Sequence, residues 1–405
     1  MVTPTLVNWL DTYIGARSEV SPPPSGLLTS LTVIVPSYER HEYLLRQCAY
    51  WYGSGVRVLI LDGSHDPLDN EVLRIFSRAP DLQYIHAPVS FSARLRLAED
   101  AVTTPYAVLG GDDEFLLLNG LHSAIRKLEE DLTLVSCIGQ SIAFFPTKTA
   151  SHCTYDSGYP HWGYSVPQTS PIDRLAAALS TYTAATAYAV MRSSAWKRSY
   201  CNLQNWTSPY AGEMQQAMST YISGKLATVD DVYWMRSSEN KPINTGDFNR
   251  GRSFQEWWSS PGLRSEHRRF VEILGKELVQ GNNLCPSEAE AHVTHAINTF
   301  VLHMNEVVSK AAESSYKSAA LRSKLRASLV KLLKHLLPDQ LQQRFKALLF
   351  DSRHTKGVQG HFGTLSTMMK YPNPPFLLNS SLVAELAAVE ELIAGFYASG
   401  QTYSK

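Results

Sequence analysis

Apolar positions in the first third of the chain fall into short unbroken runs separated by stretches with helical spacing. Leu31-Thr-Val-Ile-Val35 is β-branched and apolar on both faces, which suits a central parallel strand. Val56–Leu61, Leu82–His86 and Tyr106–Leu109 read as three further strands. Between them, residues 41–52, 68–77 and 91–102 read as helices, the last with Ala93, Leu97, Ala98 and Ala101 on one face. Strands alternating with helices predict βαβ units and an α/β fold with a parallel sheet. Right-handed crossovers place the strand C-termini along one edge, where open α/β sheets bind ligands. Pro36-Ser37-Tyr38, Asp62-Gly63-Ser64 and Asp112-Asp113-Glu114 all fall at such ends.

The pattern continues with a helix over 119–131 and a strand over Leu132–Ile138. Residues 140–170, rich in Ser, Thr, Pro, Tyr and His, read as a long loop or an edge hairpin. A helix over 171–180, a strand over Ala187–Met191, a helix over 212–223 and a strand over Ala227–Trp234 follow. Beyond about residue 250 the spacing is helical over 264–280, 287–311, 315–336 and 338–350, with Pro286 and Pro338 as starts or breaks. Residues 351–376 read as an irregular crossing and 380–398 as a last amphipathic helix. The expected division is an N-terminal helix and linker (1–26, with Ser21-Pro-Pro-Pro-Ser-Gly26 as breaker), an α/β domain (27–250) and a mainly helical C-terminal domain (251–405).

Composition adds exclusions. With 37 basic and 37 acidic residues the formal net charge is zero, so no global field attracts nucleic acid. Five dispersed cysteines without a C-x-x-C pair argue against a disulfide framework or structural zinc, and fit a reducing cytoplasm. From Met1 to Leu10 no basic region precedes an apolar core, so no signal peptide is expected. No apolar run approaches the ~20 residues that span a bilayer. Basic clusters at Arg264, His267, Arg268 and Arg269, and at Lys324, Arg326, Lys331 and Lys334, leave open a homodimer contact through the helices or peripheral contact with a membrane's inner face.

Three consecutive carboxylates at the tip of a buried strand repel one another and are costly to desolvate. A divalent cation on phosphate oxygens would offset that charge, since hard cations take oxygen ligands; an exposed acidic turn is the alternative. If the segment is extended, Asp112 and Glu114 share one side as metal ligands and Asp113 faces the other way, free for a ribose or sugar. Asp62 at its strand end accepts from a base N–H or ribose hydroxyl, or else closes an Asx turn before Gly63.

Leu31–Arg40 (LTVIVPSYER) resembles the opening strand of GT-A glycosyltransferases of the family-2 type, with Glu39 in place of the common Asn. Val58–Ser64 resembles that family's second strand, whose terminal Asp contacts uracil or another donor base. Ser92-Ala-Arg94-Leu-Arg96-Leu-Ala98 resembles the helix carrying an Arg near the donor phosphates, with Arg94 favoured over Arg96. Gly111-Asp-Asp-Glu-Phe115 resembles the metal-binding DxD motif, with Glu114 replacing its last Asp. The four matches run in family order over residues 31–118. The resemblance implies a GT-A fold, Mn2+ or Mg2+ at Asp112 and Glu114, and a nucleotide-sugar donor, UDP-linked, contacting Pro36, Tyr38, Arg40, Asp62, Arg94, Asp113 and Arg236.

It also implies an inverting transfer to a glycan or lipid-linked acceptor, in surface polysaccharide or glycan assembly. Tyr210-Ala-Gly-Glu213-Met214 resembles the family's acidic residue at a helix start, so Glu213 is the expected base, removing the acceptor hydroxyl proton. Complementing the helix dipole is the competing role for Glu213, and Asp230-Asp231 are its rivals as base. The aromatic clusters around Trp162 and Tyr164, and at Trp257-Trp258, suit sugar stacking or core packing. A nucleotidyltransferase shares the acidic site, but Pro36–Arg40 is not the Gly-rich loop such enzymes often carry. A degenerate GT-A domain acting in assembly is the third reading.

Overall fold

The computed structural model describes residues 2–18, 26–147, 151–159, 161–240, 253–280, 282–306, 361–371, 374 and 376–400. The helices expected over 315–336 and 338–350 lie outside the described residues. The chain forms an α/β fold with a mostly parallel central sheet flanked by helices. Its strands are β1 (Leu31–Ser37), β2 (Arg57–Asp62), β3 (Leu82–His86), β4 (Tyr106–Leu109), β5 (Phe115–Leu116), β6 (Leu134–Pro146), β7 (Cys153–Ser157), β8 (Val190–Arg192), β9 (Lys225–Ser237) and β10 (His361–Thr364). The order is β10-β7-β6-β8-β4-β1-β2-β3, with β9 beside β6 and β5. Pairing is parallel across β3-β2-β1-β4 and between β6 and β9, and antiparallel at β8, β7, β10 and β5.

The uniformly apolar β1 and β2 are buried on both faces, as their composition requires. Their register aligns Ser37 with Asp62. β4 ends beside Ile34, so the chain emerges as Gly110–Glu114 next to the end of β1.

Several expectations shift. The helix Phe91–Ala101 buries Ser92, Arg94, Leu95 and Ala98, whereas Leu97 is 46% exposed. Its face is set by Arg94, whose guanidinium donates to the carbonyls of Ser37 and Leu61. The strand expected from Leu132 begins at Leu134, because the Asp131 carboxylate accepts from the Thr133 N–H and hydroxyl and turns the chain there. Residues 140–170 contain an edge hairpin, β6 with β7.

The boundary at 251 does not separate two cores. One core joins the sheet, the N-terminal helix Pro4–Ser18, the helix His41–Trp51 and the C-terminal helix Ser380–Ala398. Leu6, Leu10 and Ile14, at helical spacing, are fully buried in it. The second core joins the helices Pro171–Ser180, Pro209–Ser223, Phe254–Trp258, Arg264–Val279 and 286–306. The C-terminal helix therefore belongs with the sheet: its apolar positions Leu382, Leu386, Val389, Ile393 and Phe396 meet the sheet's covering helices rather than the 264–306 helices. Tyr164 packs against both cores.

No described helix is long and apolar enough to cross a membrane. All five cysteines are free thiols, four of them buried.

Candidate functional site

The acidic segment is a turn. The chain bends at Asp112 and Asp113 between β4 and β5, so strand alternation does not decide which carboxylates share a side. Arg40 instead bridges the two neighbours, with Nη1 3.1 Å from Asp112 Oδ1 and 3.3 Å from Asp113 Oδ2. Ser37 donates to Asp112 Oδ2 at 2.8 Å, and Asn240 Nδ2 to Asp113 Oδ2 at 2.8 Å. Glu114 turns to Trp234, whose indole N–H donates to Oε2 at 2.9 Å.

Backbone bonds from one helix fix the turn. Gln47 Nε2 donates to the carbonyls of Asp112 at 3.1 Å and Glu114 at 2.7 Å. Arg46 Nη2 donates to the Asp113 carbonyl at 2.8 Å. Gly111 lies against the Glu114 carboxylate, where an added Cβ would come within 2.8 Å of Oε2.

Burial raises the Asp112 carboxyl to about 6, with Asp113 adding to the rise and Arg40 and Ser37 opposing it. Burial also raises Glu114 to about 8, again with help from Asp113 and against Trp234 and Arg236. Burial works to lower the Arg40 pKa, but Asp112 and Asp113 outweigh it and the net direction is up. The donors are all oxygens, two carboxyls resist ionising, and a guanidinium stands among them. Such a set suits a hard divalent cation, which commonly takes one or two carboxylates and leaves its other positions to substrate phosphates and water. Among the described residues, no three His, Cys, Asp or Glu side chains converge on a closed cage.

Asp62 is fully buried at the next strand end. The Ser64 N–H donates to Oδ1 at 2.9 Å, closing the Asx turn. Tyr84 donates to Oδ2 at 2.7 Å and His41 Nε2 lies 3.0 Å from it. Burial raises the Asp62 pKa, but bonds from His41, Ser64 and Tyr84 overcome it and hold the group at about 2. A carboxylate has about four acceptor sites, so three donors leave about one for a ligand.

Arg94 sits below the edge rather than on it. It bonds the strand carbonyls, and Gly63 makes room: a Cβ there would lie 2.4 Å from the guanidinium carbon. Its Nε has no partner in the structure. Arg96 donates to the Leu203 carbonyl at 3.0 Å. Pro36 is the next-to-last residue of β1, which ends at Ser37 and is followed by an exposed Tyr38. Glu39 is in the left-handed region, φ 56°, a conformation in which Asn is enriched. It is held there by its N–H to Ser64 Oγ and its carboxylate to the His65 N–H, both 2.8 Å.

Glu213 lies within the helix Pro209–Ser223, which starts earlier than expected. Glu213 is therefore in the second turn, and the helix dipole acts weakly on it. Tyr182 donates to its Oε1 at 2.9 Å. Burial raises the Glu213 pKa and the Tyr182 bond restrains it.

Aromatic rings link Glu213 to the acidic turn. Tyr188 and Tyr159 both stack on Trp234, at 4.4 and 5.6 Å between centroids. Tyr159 is close enough to Tyr182 to disfavour its ionisation. Arg236 lies over the Tyr159 ring at 5.3 Å. Trp162 is 57% exposed nearby in sequence, whereas Tyr164 is turned inward, its hydroxyl 3.3 Å from that of Tyr221. Asp230 is exposed in mid-strand, and Asp231 approaches Glu385 on the C-terminal helix. Trp257 and Trp258 belong to the second core.

Sequence reasoning passed over Arg46, Gln47, His41, Tyr84 and Tyr182. An Arg on the otherwise apolar face of helix His41–Trp51 was the available signal, since a buried charge needs a partner. Tyr182 gave none.

Neither the family models nor the curated proteins contain a match to this sequence. Among solved structures, S. aureus TarS 1-349 is 10% identical, over 66% of this chain and 71% of that one, with a TM-score of 0.44. The same TarS segment in complex with UDP-GlcNAc is 12% identical over 66% and 72%, with a TM-score of 0.45. The mannosyltransferase PcManGT from Pyrobaculum calidifontis, in complex with GDP-Man and Mn2+, is 15% identical over 78% and 91%, with a TM-score of 0.37. Likenesses this distant do not bear on what this chain binds or transfers.

Proposed function

We propose that the chain is a glycosyltransferase that takes a nucleotide-sugar donor, UDP-linked, at the edge formed by β1, β2 and β4. The observation that carries this reading is the convergence of Ser37, Arg40, Asp112 and Asp113 on one point beside Asp62. A nucleoside diphosphate leaving group accumulates negative charge. Asp112 together with Glu114 or Asp113 would hold Mg2+ or Mn2+, which when bound supplies the neutralising charge. Arg40 and Arg236 are the chain's own cations at that point, and either can pair with phosphate. Asp62, buried beneath this edge, orders the strand end through its Asx turn, and Tyr38 offers an exposed ring there for a base or ribose. Arg94 supports this edge from below.

Glu213 is the base in this reading. It removes the acceptor hydroxyl proton as that oxygen attacks the anomeric carbon from the face opposite the leaving diphosphate, so the product is inverted. Its burial favours proton uptake, and the Tyr182 hydroxyl orients the carboxylate. The exposed Trp162 offers a ring face for a glycan acceptor, in surface polysaccharide or glycan assembly, and Tyr164 packs beneath that loop. The closure of Asp112 by both Ser37 and Arg40 favours a second reading, a degenerate domain that binds no nucleotide. Titration calorimetry with UDP and GDP, with and without Mn2+, separates the two, and a donor-hydrolysis assay follows. Absence of heat for either nucleotide sinks the transferase reading.

A further inference from the structure

Between Gly110, whose N–H donates to the Ile34 carbonyl at 2.8 Å, and Phe115 the acidic turn lies outside the described strands, and side-chain bonds hold it. Those bonds lead to the far end of the sequence. Arg46 and Glu239 form a fully buried bidentate pair, both contacts 2.8 Å. Glu239 Oε1 also accepts from the Tyr397 hydroxyl at 2.5 Å, and Oε2 from Ser237 Oγ at 2.9 Å. All four acceptor sites of Glu239 are thereby filled, which leaves none for a ligand. Arg46 passes the constraint on through Nη2 to the Asp113 carbonyl.

The rings of Tyr43, Phe115 and Phe396 enclose the Arg46 guanidinium at 4.6 to 5.1 Å from their centroids. One residue of the C-terminal helix thus reaches the Asp113 backbone through Glu239 and Arg46.

We propose that Tyr397 is a positioning residue of the nucleotide-sugar site, setting the Asp113 backbone through Glu239 and Arg46. The assignment rests on the transferase reading for its functional meaning, but not for its geometry. Burial alone gives the C-terminal helix a structural role; the Tyr397 bond to Glu239 gives it a say in how the acidic turn meets a diphosphate. Nothing in this network needs the helix to move.

Hydrogen exchange of the free protein tests the geometry. Tyr397→Phe keeps the ring and removes the hydroxyl. Amides over 111–117 should exchange about tenfold faster, the cost of one bond to a charged group, while β1 and β2 stay protected. Unchanged exchange at the turn, or faster exchange throughout with an early unfolding midpoint, overturns the proposal. Calorimetry with UDP and Mn2+ tests the meaning: Tyr397→Phe should bind about tenfold more weakly. Equal affinities overturn the positioning role. If the unsubstituted protein binds neither UDP nor GDP, the transferase reading falls, and the exchange result alone decides whether Tyr397 sets the turn.

Discussion

The indole N–H of Trp234 donates to the Glu114 carboxylate at 2.9 Å, tying the middle of the outer sheet to the end of the acidic turn. Trp234 is itself held between Tyr188 and Tyr159. Glu114 is thereby bonded to the sheet, while Asp112 and Asp113 share Arg40.

A pH dependence follows from the burial of Glu114 beside Asp113. Burial and Asp113 lift Glu114 from 4.5 to about 8 in the folded chain. The fold therefore binds a proton that the unfolded chain has released, so stability from this group is complete below about pH 4.5 and lost as pH rises through about 8. Thermal midpoints measured in chelator should fall between pH 6 and 8, about the upper part of that window. Glu114→Gln should flatten that decline; an equal decline in the variant refutes the assignment.

Asp62 and His41 give a second, separable titration. The hydrogen bond to Asp62 raises the His41 pKa above 6.5, against its own partial burial. Its stabilisation is complete below the unfolded value and fades as pH rises through the folded one. Proton NMR of the His41 ring should titrate above 6.5, and Asp62→Asn should bring it back down. A His41 titration indifferent to Asp62→Asn would contradict the pairing.

Arg46 and Glu239 are buried together without solvent. Removing either leaves an unpaired buried charge, so Arg46→Ala and Glu239→Ala should each cost about 3–5 kcal/mol. The double variant should cost well under their sum, because it leaves no unpaired charge. Urea unfolding of the three variants measures this; simple additivity would mean that the pair does not act as a unit.

The buried sheet was plain in the sequence because β1, β2 and β4 are apolar on both faces, a pattern with few alternatives. The meeting of Ser37, Asp62 and Asp112 at one edge followed from topology alone. The direction of each carboxylate did not follow, because it depends on partners remote in sequence: Arg40 lies 72 residues from Asp112 and Trp234 lies 120 from Glu114. Glu39 shows the intermediate case. Its departure from Asn was visible, but only the fold shows that the position is left-handed and that Ser64 and His65 hold it there. The attachment of helix Ser380–Ala398 to the sheet was hidden because amphipathic spacing says which face is buried and not against what.

Tyr182 and Glu213 carry the last prediction. The phenol donates to the carboxylate at 2.9 Å and restrains a pKa that burial raises. A base must be ionised to accept the acceptor proton, so turnover should fall on the acid side as Glu213 becomes protonated. Glu213→Gln should lower turnover by at least about 100-fold with nucleotide affinity unchanged. Tyr182→Phe removes the bond that favours the charged form. The Glu213 pKa should then rise, and the acid limb of the pH–rate profile should move to higher pH while the rate on the alkaline side stays closer to that of the parent. A uniform drop at every pH would mean that Tyr182 only packs there. An unmoved profile with full activity would remove both residues from the proton transfer, and return Asp231 to consideration.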